Sequence, residues 1–316
     1  MSSPKPSNWQ VVAVLGVGVV CVSTAAILIR LAFAAANAQG VGFSLVLAAS
    51  RLAIAALCLA PAWGNLRKER FQLSALCYSA AAGVCLALHF ACWITSLSYT
   101  SIAASATLVT TNPVWVALLS WLWFREKPGS TTVLGIAITL LGGMLVAIGS
   151  AEATFAGSNP LLGNFLALVG SWAVSLYFLL GREAQRRGLD VGSHVVLTYT
   201  TAAGVLLPLP ALFGASYSGY HSSVYLWILL MALFPQLIGH TSFNWAVRWI
   251  SPTLVTLTIL AEPVGSSILG AIVFRENPGS TVLLGAAVIL TGVATAALGA
   301  QGVGAQVLKE DEDKKP

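Results

Sequence analysis

The sequence predicts an all-α integral membrane protein: ten transmembrane helices arranged as two inverted five-helix repeats around a central cavity. Three observations carry that prediction. Of 316 residues, 57% are hydrophobic and only 9% are charged, against roughly 25% charged in an ordinary soluble domain. The apolar residues gather into runs long enough to cross a bilayer. A polar signature that closes the first half of the chain also returns near the end of the second.

The 16 basic and 11 acidic side chains cannot supply a polar shell for a soluble core of this size, so lipid must take that role. A net charge of +5 and a pI near 9.1 would suit nucleic acid, but the basic residues sit in short clusters between apolar runs and not along one face. They read as a membrane orientation signal, and no nucleic-acid partner is expected. Five cysteines (Cys21, Cys58, Cys77, Cys85 and Cys92) lie in apolar runs without metal-ligand or CxxC spacing and read as small packing residues. Ala36-Asn37-Ala38 resembles a signal-peptidase site, but the preceding run is longer than a typical h-region of about 7 to 15 residues and carries Arg30, which favours a span.

A span needs roughly 20 mostly apolar residues to cross about 30 Å of hydrocarbon. Ten runs qualify, at 11–33, 41–62, 73–96, 101–123, 131–150, 161–181, 194–214, 224–247, 252–273 and 281–300. The first carries Arg30 near its end and the second Arg51 at its middle. The third places His89, Trp93 and Ser96 on one face, and the fourth is interrupted at Asn112-Pro113. The sixth has Ser171 and Trp172 at mid-span, and the eighth repeats polar residues at Gln236, His240 and Asn244. The ninth is interrupted at Glu262-Pro263 and has Thr258, Glu262 and Ser266 on a shared face. Beyond the tenth, residues 303–316 form a charged tail with no apolar pattern to fold around.

Basic residues resist translocation, so their distribution over alternate loops gives orientation. With the N-terminus in the cytoplasm, the inner side holds Lys5, Arg67, Lys68, Arg70, Arg125, Lys127, Arg182, Arg186, Arg187, Arg248, Lys309, Lys314 and Lys315, and the outer side holds only Arg275. Thirteen against one supports both the number of spans and cytoplasmic termini, because a missed helix would scramble the alternation.

Self-similarity is the most specific feature. Phe124-Arg125-Glu126-Lys127-Pro128-Gly129-Ser130-Thr131 recurs as Phe274-Arg275-Glu276-Asn277-Pro278-Gly279-Ser280-Thr281, and 14 of 26 positions match at an offset of 150. Gly135, Gly142 and Gly149 pair with Gly285, Gly292 and Gly299. Five spans per copy make the second copy enter the bilayer from the opposite side, an arrangement typical of secondary transporters. The copies are placed at residues 1–155 and 156–302.

Two five-helix halves, each ending in this pattern, resemble the EamA family of the drug/metabolite transporter superfamily. The likeness rests on Pro113, Glu126 and Gly135 in the first half and Pro263, Glu276 and Gly285 in the second, and covers roughly residues 11–300. Arg30 and Arg51 also fall where that family often places a basic residue. The resemblance implies export or exchange of small organic metabolites, often amino acids, through a ten-helix bundle, and a location in a bacterial inner membrane.

The paired interruptions are the best pointer to a transport site. Pro113 and Pro263 lack the N–H that would bond four residues back, freeing the carbonyls of Val109 and Ile259. They mark either a site or a packing kink relieved by neighbouring threonines. Glu262 is the acidic residue well inside a span, at a cost of roughly 2.5 to 3.5 kcal/mol for an ionised carboxylate. Either it faces the cavity and binds a proton or a cationic substrate group in alternation, or it pairs structurally with Arg51 or Arg30. Arg30, near a helix end, can snorkel; Arg51 cannot easily do so, and is a candidate to bind a carboxylate, whether that of Glu262 or of a cargo. His89, His240, Asn112 and Asn244 should point inward, where they serve either cargo or helix-to-helix hydrogen bonds. Trp93, Trp172 and Trp245 lie deep and read as cavity walls or core packing, whereas Trp9, Trp63, Trp121, Trp123, Trp227 and Trp249 fall near interfaces.

The sequence carries no HExxH, nucleophile elbow, P-loop or metal-spaced cluster, so neither an enzyme nor a cofactor is expected. The expected activity is secondary transport of small amphipathic metabolites, driven by the substrate's own gradient, by protons or by exchange. A sugar-phosphate or nucleotide-sugar exchanger would need several cations in the cavity, and only Arg30 and Arg51 are on offer. A non-transporting scaffold or sensor with a purely structural polar interior is the alternative of another class.

Overall fold

The computed structural model describes residues 6–66, 72–124, 129–152, 159–250 and 252–313. In chain order the α-helices are α1 (Asn8–Ser23), α2 (Ala25–Ala36), α3 (Val41–Cys58), α4 (Trp63–Leu66), α5 (Leu73–Ser96), α6 (Ile102–Val109), α7 (Asn112–Phe124) and α8 (Ser130–Glu152). They continue as α9 (Pro160–Arg186), α10 (Val191–Leu206), α11 (Leu209–Leu212), α12 (Ser222–Met231), α13 (Thr241–Ala246), α14 (Pro252–Ile259), α15 (Glu262–Phe274) and α16 (Ser280–Asp313). A π-helical segment, Ala232–His240, joins α12 to α13.

The protein is an all-α integral membrane protein. Among the described residues six helical stretches are long and apolar enough to cross a bilayer: Asn8–Ala36, Val41–Cys58, Leu73–Ser96, Pro160–Arg186, Val191–Leu212 and Ser222–Ala246. The sequence reading counted ten. Two of the other four, 101–123 and 252–273, are each split into two shorter helices, and the remaining two fall on α8 and α16. The splits lie at Thr110-Thr111 and Leu260-Ala261, again 150 residues apart, as are the starts of α8 and α16.

Local chemistry explains the splits. Asn112-Pro113 and Glu262-Pro263 occupy the first two positions of α7 and α15, where proline's missing N–H costs nothing and its fixed φ suits a helix start. The prolines therefore begin new helices instead of kinking continuous ones. Thr111 donates to the carbonyl of Leu108 at 2.8 Å and to or from Ser171 of α9 at 3.0 Å, while Ser175 donates to the carbonyl of Asn112 at 3.2 Å. At the other split, Ser266 donates to the carbonyl of Ser23 at 3.1 Å.

The helices fold around two main apolar cores, beside a small third cluster of Ala75, Ala184 and Leu189. The larger joins α1, α2, α3, α5, α9, α10, α12 and α13, with Ile29, Leu47, Phe90, Tyr177 and Tyr199 fully buried. The smaller joins α6, α7, α8 and α16 through Ala104, Val146, Ile289 and Val293. Within it α8 and α16 run antiparallel with their backbones almost touching. A Cβ at Gly142 would meet the backbone N of Ile289 at 2.6 Å and O of Gly285 at 2.9 Å; at Gly292, the N of Thr139 at 2.5 Å; at Gly149, the N of Val282 at 2.8 Å. The glycines that match at the 150-residue offset thus form the contact surface between α8 and α16, a small-residue seam of the kind that lets membrane helices approach closely.

The charged tail departs from expectation: α16 continues through it to Asp313. Residues 305–313 are rich in Ala, Gln, Leu, Lys and Glu, which are good helix formers, so a helix already nucleated upstream propagates through them. The repeated motif's Arg125, Glu126 and Lys127 lie outside the described residues, as do Arg67, Lys68 and Arg70.

Candidate functional site

The two helix breaks meet at a central cavity of about 40 Å³. Asn112 and Glu262, the equivalent first residues of α7 and α15, both line it. His89 and Trp93 of α5, His240 of the π segment and Thr110 add polar and aromatic edges, and Pro235 of the π segment adds an apolar one. Its remaining wall is apolar, from Val22, Ala25, Val109, Val174, Phe178, Phe243 and Ile259. Five of the eight candidate residues are therefore brought together: Glu262, His89, Trp93, Asn112 and His240.

Each is held by its own element. Packing of α5 against α9 lets His89 Nδ1 donate to the carbonyl of Gly170 at 2.9 Å, which fixes the ring with Nε2 as its other end. Trp93, one turn on, stacks on His89 at 5.8 Å with an interplanar angle of 13°. His240 closes the aromatic cluster, with ring contacts to His89 at 6.2 Å, Phe90 at 5.2 Å and Phe243 at 6.3 Å. Glu262 is 8% exposed and sits in the first turn of α15, where the helix dipole favours negative charge.

Three candidates do not line the cavity. Trp172 is 40% exposed on the outer surface of α9. Ser171 and Ser175, the polar residues at the middle of that helix, face Thr111 and Asn112, so Trp172 beside them turns outward. Asn244 is buried away from the cavity as a clamp, its side-chain amide donating to the Tyr177 hydroxyl and to the carbonyl of His240 at 2.9 Å. Arg51 is wholly buried behind the wall, its guanidinium 4.1 Å from the centre of the Phe90 ring. Arg51 and Glu262 make no direct ion pair; among the described residues the ion pairs identified join Glu183 to Arg186 and Arg187. The expected stripe of Gln236, His240 and Asn244 is also broken up. The i→i+5 bonding of the π segment winds the backbone more loosely than an α-helix, so side chains four apart no longer stack, and only His240 of the three reaches the cavity.

At the α15 end of the bundle, a second contact joins the loop after α15 to the start of α6. Glu276, in the loop after α15, accepts from the backbone N–H of Ile102 at 2.6 Å, while Arg30 donates to the carbonyl of Thr100 at 2.6 Å. Ser101 caps the same helix start by accepting from Ala104 at 3.1 Å, so two of the orphan N–H groups that open α6 are satisfied. Arg30 is thus docked on the polypeptide and does not snorkel freely. Burial pushes the Glu276 carboxyl above the ordinary carboxylate range, with the Arg30 charge and the Ile102 N–H acting against it.

Sequence reasoning missed Val22, Ala25, Thr110 and Pro235 as cavity residues and Glu276 as a link between halves. Thr110-Thr111 immediately before Asn112-Pro113 was the available signal for the first break. Nothing in the sequence marks residues 232–240 as π-helical, since Pro235 in an apolar run suggests only a bend.

A model of the EamA-like transporter family matches residues 4–148 and 161–298. The uncharacterized transporter YdfC of Bacillus subtilis (strain 168) is 29% identical over 196 residues, 61% of either chain. This chain thus spans about three fifths of that relative's length. A probable terminal-alkyne amino-acid exporter of Streptantibioticus cattleyicolor is 24% identical over 254 residues, covering 78% of this chain and 82% of the exporter. Among solved structures, a crystal structure of a protein 19% identical superposes with a TM-score of 0.60 over 92% of this chain and 98% of its own. At that identity the last match speaks for the fold alone.

Proposed function

Because this chain belongs to the EamA-like transporter family, we propose that it is a secondary carrier that exports or exchanges small organic metabolites, amino acids or related amphipathic compounds, by alternating access. One observation carries the reading: the equivalent break residues of the two repeats, Asn112 and Glu262, face one cavity. Two similar halves whose interrupted helices share a site can exchange conformations, and with them the side of the membrane to which the site opens. The antiparallel pairing of α8 with α16, equivalent helices of the two repeats, supports an inverted ten-span arrangement of residues 1–155 and 156–302. In this reading residues 303–316 and both termini lie on the cytoplasmic side of a bacterial inner membrane.

The cavity's chemistry supports an amphipathic cargo. Most of its wall is apolar, Trp93 and His89 offer a flat aromatic surface, and Glu262 offers one negative charge to a proton or a cationic group. No Lys or Arg is among the lining residues, which argues against a sugar-phosphate cargo with its two negative charges. The Streptantibioticus relative is named a probable terminal-alkyne amino-acid exporter, which agrees with the amino-acid reading.

Counterflow into proteoliposomes loaded with unlabelled amino acids tests the proposal. Accumulation of the labelled counterpart of at least one of them is expected. Zero counterflow across a panel of amino acids and their amines, with ligand-induced thermal stabilisation retained, would replace the carrier with a sensor.

A further inference from the structure

Behind His240 lies a second group of polar atoms. Arg51, at the middle of α3, has 0% exposure, and none of its Nε, Nη1 and Nη2 atoms has a hydrogen-bond partner among the described residues. Gln236, on the π segment that packs against α3, is also at 0% with both side-chain amide atoms unpartnered, and His240 Nδ1 is unpartnered too. These groups form one neighbourhood. The Arg51 guanidinium covers the Phe90 ring, Phe90 meets the edge of His240, and Tyr199 of α10, which packs against α3, donates its hydroxyl to the backbone carbonyl of Gln236 at 3.2 Å.

A guanidinium with five N–H donors and no acceptor is among the costliest things a protein can bury, and a ring face beneath it leaves the donors in its plane unsatisfied. Glu262 does not answer this need: the two charges are within electrostatic reach, yet they make no direct ion pair. The two charges therefore do not neutralise each other in a direct pair, although Arg51 and Gln236 are closed off from the cavity by its wall in this conformation. The planar fork of Arg51 fits a carboxylate bidentately, and the Gln236 amide adds a further N–H donor. One cation beside a resident carboxylate suits a single negative charge better than a phosphate dianion.

We propose that Arg51 and Gln236 form an anion subsite that receives the carboxylate of the cargo past His240, while the cargo's cationic group lies toward Glu262 and its apolar body against Val109, Phe178 and Ile259. This rests on the central cavity being the transport site. The subsite makes Arg51 the residue that separates zwitterions from plain amines.

The test uses the purified full-length protein and three probes that share one apolar body: phenylalanine, phenethylamine, which lacks the carboxylate, and 3-phenylpropionate, which lacks the ammonium. Binding is read by calorimetric titration. Wild type should bind phenylalanine at least about tenfold more tightly than either partial probe, roughly 1.4 kcal/mol. Arg51→Gln should weaken phenylalanine binding to the level of phenethylamine and leave phenethylamine within about threefold. Wild type binding phenethylamine as well as phenylalanine, binding none of the three, or Arg51→Gln binding phenylalanine normally would each overturn the subsite. Should Arg51→Gln not fold, the wild-type comparison still decides, and Gln236→Leu should lose part of the same preference. Zwitterion preference without phenylalanine counterflow in vesicles would sink the carrier reading and keep the subsite; counterflow with no carboxylate preference would do the reverse.

Discussion

Two carboxylates set the expectations at the scale of single residues. Glu262 is the acidic side chain in the cavity wall, so a carrier that uses a proton should lose its pH response when this group can no longer ionise. Flux by Glu262→Gln is expected to be flat across roughly pH 5 to 8, whereas wild-type flux varies; parallel pH profiles in proteoliposomes would remove Glu262 as proton carrier. Glu276 predicts a stability effect instead. Its carboxyl is held above the ordinary range by burial, so the folded protein holds this proton more readily than the unfolded chain. The group's contribution to stability is then greatest at low pH and declines as pH rises from about 4.3, the ordinary glutamate value, through its own higher one. Glu276→Gln keeps an oxygen to accept from Ile102 but cannot ionise, and should flatten that decline in thermal denaturation series. Equal slopes for the two proteins would contradict the assignment.

Helix pairs are the next scale, and the α8–α16 seam makes a sharp forecast. Gly142 and Gly143 are sequence neighbours on opposite footing: a Cβ at Gly142 would drive into the backbone of α16, while one at Gly143 would meet nothing within 4 Å. Gly142→Leu should therefore destabilise by about 1 to 3 kcal/mol or more, and Gly143→Leu by no more than about 0.5 kcal/mol. Detergent-solubilised thermal shifts that rank the pair the other way would refute the seam. Elements like these show what the sequence could convey. The third span, 73–96, coincides with α5 because polar or turn residues bound it on both sides. The helix breaks were legible from Asn112-Pro113 and Glu262-Pro263, but not as helix starts, since a proline in an apolar run specifies a lost hydrogen bond and leaves its position in the turn open. The orientation of Trp172 was legible in its neighbours and not in its own size: Ser171 and Ser175, one turn apart, turn inward to Thr111 and Asn112, and the residue after Ser171 turns outward. Arg51 was legible as costly, yet its distance from the cavity wall depends on how α3 packs against α10 and the π segment, which no local pattern encodes.

For the whole molecule the repeat makes the largest claim. Lys127 and Asn277 occupy equivalent positions in the two copies of the polar signature, and an upside-down duplication puts them in different aqueous compartments. Single cysteines at these positions, in a background lacking the five native ones, should react with a membrane-impermeant maleimide from opposite faces of sealed vesicles. Labelling of both from one side would end the inverted arrangement. The link from Glu276 to Ile102 crosses from one copy to the other, so any rocking of the halves that opens that end of the bundle must first break it.

The glycine seam has a mechanical corollary. Among the described residues, none of the side chains that line the cavity belongs to α8 or α16, and backbones in direct contact leave little room to slide. The pair is suited to act as a spindle, stationary while the other helices swing, which would let natural variation retune cargo preference in the hub without disturbing the bearing on which the motion turns.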